Sequence, residues 1–412
     1  MTATTRVKLS TMMFLEFFIW GGWFVTLGTF LSANLQASNG QTSSAFTTQS
    51  IGAIIAPFII GLIADRYFNA EKILGVLHLL GAILMYQMYR SDAFGSFYPY
   101  VFVYMVLYMP TLALVNSVSF NQMKNAEKEF GSIRVWGTLG WIVAGLLISY
   151  AFHWDNEENL KAGLLKNTFL MTSIASLALG LFSFLLPKTP PKVKGQEKVK
   201  VGEILGLDAL KLLRDRNYII FFLASVLICI PLAFYYQNAN PFLADIHVSN
   251  PTGKMTFGQM SEVLFMLLLP VFFLKFGLKK TLALAMAAWV ARYLLFAHGN
   301  AGDRSWMLIA GIALHGICYD FFFVTGQIYT DSKAGEKYKS AAQGLITLAT
   351  YGVGMWVGFY VAGIITDAAR LPDGTTDWRH VWMIPAVFAA AVLVLFLVFF
   401  REKRSGVPVP AK

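Results

Sequence analysis

The sequence predicts an all-α integral membrane protein with twelve transmembrane helices in two six-helix, pseudo-symmetric bundles. Hydrophobic residues make up 56% of its 412 residues and charged residues only 14%, against about 25% charged in soluble domains. The mean hydropathy is +0.57. Apolar runs of about the 20 residues that a spanning helix needs recur along the whole chain.

A Pro- and Lys-rich stretch, PKTPPKVKGQEKVK, interrupts this pattern and is followed by the short amphipathic segment LGLDALKLLRDR. It predicts three parts: a first bundle at 1–187, a linker with an amphipathic helix at 188–217, and a second bundle at 218–412. The twelve predicted helices are 11–31, 46–63, 73–89, 97–119, 133–152, 168–186, 218–238, 256–274, 281–298, 305–328, 341–366 and 381–400.

Basic residues predict the orientation in the membrane. The loops and tails on the side of both termini hold 24 of the 33 Lys and Arg residues, against 7 in the opposite loops. Because cytoplasmic loops carry an excess of Lys and Arg, both termini are expected in the cytoplasm. The net charge of +10 therefore reflects topology and contact with the lipid bilayer, and we expect no nucleic-acid partner.

The composition argues against catalysis and metal binding. Cys229 and Cys318 both fall inside apolar runs, so no disulfide or thiolate metal site is indicated. The six histidines are scattered without a metalloprotease or nucleophile–base pattern. We expect no enzyme activity, no metal and no cofactor. A receptor has little support without a large soluble domain, and two matched halves disfavour a channel.

The most informative stretch is GIALHGICYDFFFVTGQIY, residues 311–329. Asp320 lies near the middle of this helix, where a charged side chain costs about 2.5–3.5 kcal/mol on insertion scales. His315 and Tyr319 share one face, and Phe323 and Gln327 continue a stripe beside them. Such a polar stripe suggests a transport pathway. The alternative is a buried charge that only holds helices together.

Helices 1 and 5 also carry polar residues. Glu16 lies one or two turns inside the predicted membrane boundary, where it serves transport or extends to water. Arg134, Thr138 and Trp141 recur at i, i+4 and i+7, so they lie on one helix face. A guanidinium, a hydroxyl and an aromatic plane suit a flat polar ligand. Arg134 has a second interpretation, extension to lipid headgroups.

Helices 7 and 8 supply the remaining candidates. Tyr236 and Gln237 lie in AFYYQNANPF, which is either an outer gate or an interfacial aromatic belt. Gln259 and Glu262 are one helical turn apart, so the pair can bind hydroxyl groups and carry a proton. A structural pairing with a neighbouring helix is the alternative.

The stretch GLIADRYFNAEK resembles the loop 2–3 signature of the major facilitator superfamily. The resemblance implies that Gly61, Asp65 and Arg66 close the cytoplasmic side. The match is partial, since Phe68 stands at the signature's second glycine. The segment LKFGLKK, residues 274–280, is a corresponding loop in the second half, as expected for transporters built from repeats.

Longer stretches resemble the nucleoside:proton symporter family of that superfamily over nearly the whole chain. They are FIWGGW in helix 1, YMPTLALVNSVSF at 108–120, RVWGTLGW at 134–141, LGLDAL at 205–210, QMSEVLF at 259–265, YDFFF at 319–323 and TDWRHVW at 376–382. The resemblance implies the major facilitator fold and proton-driven nucleoside uptake across a bacterial inner membrane. We expect a monomer whose partners are the nucleoside and protons.

Position by position, the resemblance supports the helix 5 residues, the helix 8 pair and the helix 10 carboxylate. The expected substrate-binding residues are Arg134, Thr138, Trp141, Tyr236, Gln237, Gln259, Glu262, His315 and Tyr319. The expected proton-coupling residues are Asp320, Glu262 and Glu16. The chain departs from a bacterial permease of the family at Glu16, His315, Ala233 and Tyr236, which leaves open the preferred nucleoside and the number of proton-carrying groups. The alternative function is a major facilitator porter for a sugar or another polar solute, or an exporter.

Overall fold

Helices account for nearly all of the regular structure. The computed structural model describes residues 1–59, 67–124, 126–191 and 207–401. Within these ranges, the only β-type pairing is an isolated bridge between Arg370 and Thr376. The helices up to the linker are α1 (Ala3–Gly21), α2 (Leu27–Ala33), α3 (Asn39–Ile59), α4 (Ala70–Tyr89), α5 (Phe94–Asn121), α6 (Ala126–Leu146), α7 (Glu157–Lys161) and α8 (Asn167–Ser183).

The second half of the chain is also helical, and π-helical turns adjoin helices in both halves. Its helices are α9 (Arg216–Asp245), α10 (Pro251–His298), α11 (Ser305–Ala313), α12 (His315–Tyr319), α13 (Thr325–Thr347), α14 (Met355–Ala368) and α15 (Trp378–Phe399). The π-helical turns are Leu147–Ala151 after α6, Asp320–Val324 before α13 and Leu348–Gly354 after it.

Nine helical segments of the described part are long and apolar enough to cross a membrane. The chain is therefore a multi-pass membrane protein. One of the nine is α10, whose 48 residues would extend about 72 Å as one straight helix, more than twice the hydrocarbon core of about 30 Å. Gly277 interrupts it at φ 74° and ψ 179°, between the predicted helices 256–274 and 281–298. The count of twelve stays a prediction.

The first predicted helix is not continuous. Residues 11–31 were expected as one span, but α1 ends at Gly21 and α2 begins at Leu27. Two adjacent glycines weaken a helix because they lose the most backbone entropy on ordering. Trp141 also packs on Gly21, whose Cβ, if present, would lie 2.7 Å from the indole Cγ. The absence of a side chain at Gly21 therefore leaves room for an aromatic side chain of α6.

By their contacts, the residues form two units. One is Met1–Val199 with Leu243–Thr256, and the other is Lys200–Phe242 with Phe257–Lys412. In the first unit, α1 packs against α5, α6 and α8, and α4 packs against α5 and α8. The approach of α1 to α6 depends on Gly140, where a Cβ would lie 2.1 Å from the carbonyl oxygen of Phe14. Any larger residue there would push the two helices apart.

The described end of the linker belongs to the second unit. Leu207–Arg214, in the segment expected to form an amphipathic helix, is a 3-10 helix. Its Ala209 packs in an apolar cluster with Leu345 of α13. Asp215, which follows, accepts hydrogen bonds from Lys333 Nζ at 2.8 Å and from the backbone N–H of Tyr218 at 3.0 Å. Partial burial raises the pKa of Asp215, but these bonds outweigh it and the pKa lies below its usual value. The contact is therefore present at neutral pH and weakens as the pH falls through that pKa.

The start of α10 is capped by side chains from the segment that follows α6. The first N–H groups of a helix have no partner within it. Here Asp155 Oδ2 accepts from the N–H of Thr252 at 3.0 Å, and Ser149 Oγ accepts from that of Gly253 at 2.7 Å. Ser149 in turn donates to Asp155 at 2.5 Å. These bonds hold the segment 243–256 in the first unit.

We predict that Asp155→Ala lowers the thermal unfolding temperature of the purified protein. Loss of a helix cap costs about 0.5–2 kcal/mol, and Asp155 is buried, so water replaces it poorly. Scanning calorimetry in detergent measures the change. Asp92→Ala is the control, since Asp92 is an exposed loop carboxylate. Equal unfolding temperatures for the two variants would contradict this role.

Candidate functional site

The α6 stripe in the first unit has the geometry expected from its spacing. The Arg134 guanidinium lies 4.1 Å from the centre of the Phe17 ring of α1, a cation–π contact. Thr138 is buried, and the Trp141 ring lies 5.6 Å from that of Trp20. Arg134 Nη1 is buried and has no hydrogen-bond partner among the described residues. The stripe thus presents a guanidinium, a hydroxyl and an indole beside an aromatic wall of α1.

Glu16 does not extend to water. Its side chain is fully buried, and its Oε2 lies 2.8 Å from His78 Nε2 of α4. Thr111 of α5 donates to Glu16 Oε1 at 2.6 Å. The sequence did not single out His78, because nothing in the spacing along the chain connects α1 to α4. The sequence signal for His78 was that it is an ionisable residue inside the apolar run LGVLHLLGAI.

Asp320 of the second unit is also fully buried. The predicted helix 305–328 is broken around it, into α11, α12 and the π-helical turn Asp320–Val324. Such turns insert an extra residue into a helix and are frequent at functional sites. The side chain of Asp320 is thereby held inside the unit, as its position in the sequence predicts.

An aromatic column runs beside Asp320. The His315 ring stacks between those of Tyr235 and Tyr319, with centres 5.4 and 5.7 Å away. The Tyr319 hydroxyl is hydrogen-bonded to that of Tyr351 at 2.5 Å. At the other end the Arg292 guanidinium lies 3.7 Å from the centre of the Tyr235 ring. The column thus joins four helical segments through polar aromatic groups.

Arg292 lies in predicted helix 9. The sequence makes it a candidate partner of the Gln259–Glu262 pair and also places it near the end of that helix, and its side chain is fully buried. Its Nε donates to the carbonyl oxygen of Gly311 at 3.0 Å. Neither Nη atom has a hydrogen-bond partner within the described ranges. A buried cation with available N–H groups is suited to a polar or anionic partner.

The Gln259–Glu262 pair lies on the part of α10 that crosses α12. Both side chains are half-buried. The crossing is close, since a Cβ on Gly316 would lie 2.5 Å from the carbonyl oxygen of Ser261. Ser261 Oγ also accepts from the N–H of Gly316 at 3.0 Å. The pair therefore sits next to the start of the aromatic column.

The polar end of α9 is part of the interior of the second unit. Gln237 and Asn240 are both about 1% exposed, and Asn238 donates to Thr366 at 3.1 Å. Tyr236, half-buried, lies within electrostatic range of Glu262 and Tyr319. Buried amides are inconsistent with an interfacial aromatic belt, one of the two interpretations of this stretch.

Three further expectations concern the cytoplasmic gate residues, the two cysteines and a metal site. Gly61, Asp65 and Arg66 lie outside the described residues. Cys229 and Cys318 are buried free thiols. In the part of the chain that the structure describes, no three His, Cys, Asp or Glu side chains form a group that could hold a metal ion.

Comparisons with known proteins agree with one another. The model of the family described as nucleoside H+ symporter matches residues 3–405. YegT of Escherichia coli (strain K12) is 43% identical over 98% of this chain and 95% of its own. The xanthosine permease of the same organism is 32% identical over 96% of each chain. The crystal structure of the nucleoside transporter NupG superimposes with a TM-score of 0.85 at 26% identity, over 97% of this chain and all of the other.

We predict that Arg292→Lys destabilises the protein by about 1–3 kcal/mol, because a lysine loses both the flat contact with Tyr235 and the bond from Nε to Gly311. Thermal unfolding of the purified protein measures this. Arg90→Lys, at an exposed position, is the control. An Arg292→Lys variant as stable as the wild type would show that the guanidinium geometry is dispensable.

Proposed function

Because the chain belongs to the nucleoside H+ symporter family, we propose that it imports nucleosides across the bacterial inner membrane, driven by the proton gradient. The match of the family model over residues 3–405 carries this proposal. The excess of Lys and Arg in the loops on one side supports cytoplasmic termini. The transporter is expected to act as a monomer and without a cofactor, by alternating access.

Each unit holds polar and aromatic residues that are candidates for substrate binding. A nucleoside has a flat base and a ribose with hydroxyl groups, so it requires an aromatic surface and a few well-placed polar groups. The first unit supplies Trp141 for stacking, with Arg134 and Thr138 for hydrogen bonds. The second unit supplies the pair on α10 and the column around His315. The residues that we assign to the nucleoside in that unit are Tyr236, Gln237, Gln259, Glu262, His315 and Tyr319.

Proton coupling is assigned first to Asp320. A buried carboxylate is unfavourable unless it is compensated, and binding a proton neutralises it. Asp320 is fully buried and lies on a π-helical turn, beside Tyr319 of the proposed nucleoside site. Glu262, half-buried on α10, is the second candidate. Gly61, Asp65 and Arg66 remain the proposed cytoplasmic gate.

We predict that Arg134→Ala and Gln259→Ala each weaken nucleoside binding by about 1–3 kcal/mol, because each leaves polar atoms of the ligand unpaired. Trp141→Ala loses stacking area, and Trp141→Phe retains part of it. Calorimetric titration of the purified proteins with uridine and adenosine measures these changes.

The controls for this titration are Arg304→Ala, at an exposed position, and Gln87→Ala, at a half-buried position of α4. Both are expected to bind like the wild type. Unchanged affinity in both Arg134→Ala and Gln259→Ala would place the nucleoside elsewhere. If the wild type binds and transports a sugar but no nucleoside, the sugar-porter alternative replaces this proposal.

We also predict that Asp320→Asn abolishes accumulation of labelled nucleoside against its gradient while exchange across the membrane continues. The amide cannot carry the proton, but it leaves the nucleoside contacts in place. Glu262→Gln is expected to impair accumulation as well. Uptake into energised vesicles, with and without an uncoupler, gives the comparison, and Asp92→Asn is the control. Normal accumulation by both variants is incompatible with this assignment.

A further inference from the structure

The first unit contains a buried acid–base pair, formed by the expected proton-coupling residue Glu16 and by His78. Glu16 of α1 is 0% exposed and His78 of α4 is 2% exposed, and Oε2 and Nε2 are 2.8 Å apart. At that distance a hydrogen lies between the two atoms, because two lone pairs facing each other would repel. The pair therefore holds at least one proton in this structure.

The neighbours of His78 indicate which atoms carry hydrogens. Ser176 of α8 has one hydroxyl hydrogen, and the shorter of its two contacts with His78 is to the backbone oxygen, at 2.9 Å. If that hydrogen is donated there, the 3.2 Å contact between Ser176 Oγ and Nδ1 needs the hydrogen on Nδ1. A neutral imidazole then has no hydrogen on Nε2. The hydrogen facing Glu16 is thus an additional one, shared between a carboxylate and an imidazole.

This shared proton makes the pair neutral as a whole. Without it, a carboxylate would face a bare imidazole nitrogen inside the helix bundle, which burial strongly disfavours. Among the described residues, the other ionisable groups facing Glu16 are the phenols of Tyr104 and Tyr108 on α5. The nearest cation on α6 is Arg134, which lies over the neighbouring Phe17. The other carboxylate oxygen, Oε1, lies 2.6 Å from the hydroxyl of Thr111, which also contacts the backbone oxygen of Tyr108 at 2.5 Å.

We propose that Glu16 and His78 form a second proton-binding site, in the first unit and distinct from Asp320. The pair holds one proton in this structure. When the proton leaves to water, the N–H or O–H bond that carried it breaks, and the two facing acceptors repel. The contact between α1 and α4 then opens. Proton release is in this way linked to the position of α1, the helix on which the α6 stripe packs. The proposal rests on proton-coupled nucleoside transport as its premise.

The test is the ratio of protons to nucleosides. Wild-type protein in liposomes takes up labelled uridine while a dye inside the liposomes reports proton entry. Glu16→Gln and His78→Gln are each expected to lower the ratio by about one proton per nucleoside, with uridine exchange retained. A ratio equal to that of the wild type in both variants overturns the proposal. No uridine-linked proton entry in the wild type would instead refute the proposed function.

Matched controls separate the pair from a general effect of lost charge. Glu71→Gln removes a buried glutamate of α4 that is bonded to the backbone of Thr189, and His153→Gln removes an exposed histidine. Both are expected to keep the wild-type ratio. A lowered ratio in Glu71→Gln contradicts the assignment to this pair.

A second measurement does not depend on variants of the pair. In Asp320→Asn/Glu262→Gln, the other two proposed proton carriers are absent. Calorimetric titration with uridine in buffers of different ionisation enthalpy counts the protons bound with the nucleoside. Proton uptake or release that accompanies uridine binding in this variant supports the Glu16–His78 site, and uridine binding without any proton exchange contradicts it.

Discussion

The burial of charged side chains among apolar helices constrains this structure more than any other feature. Glu16, Arg292 and Asp320 are all fully buried. Among apolar side chains an uncompensated charge is very unfavourable. Each of these side chains therefore lies where other groups interact with it. His78 and Thr111 contact Glu16, and the Tyr235 ring with the Gly311 carbonyl contacts Arg292. The helices must therefore pack so that these buried groups have interaction partners.

Close helix approaches and irregular turns make this possible. Gly140 lets α1 approach α6, and Gly316 lets α12 approach α10, where larger side chains would not fit. The π-helical turns place Asp320 and Tyr351 in segments whose backbone pattern differs from the flanking helices. A hydrogen bond joins Tyr319, the residue before the first of these turns, to Tyr351 of the second.

Much of the fold follows from the sequence because hydrophobic length is a local property. The helical class, the multi-pass character and the α6 stripe from Arg134 to Trp141 all depend on runs and spacings that can be read along the chain. The burial of Asp320 follows in the same way from its place within an apolar helix. The family resemblance adds the function, since it depends on many stretches at once.

The partners of buried groups could not be predicted, because they come from packing between distant helices. His78 meets Glu16 from a position 62 residues away, and no periodicity connects them. The position of Arg292 in helix 9 left open whether it meets another helix or lies near a boundary, because residue type alone does not show which way a helix face turns. The close packing of Trp141 on Gly21 likewise joins two helices that are far apart in the sequence.

The central claim is that nucleoside movement and proton movement are one coupled process. Liposomes containing the protein, at equal pH on both sides and with the membrane potential clamped, are given an outside excess of uridine. The account predicts that the interior becomes acidic as uridine enters, in an amount proportional to the uridine taken up. Uridine entry without any change in internal pH would contradict it.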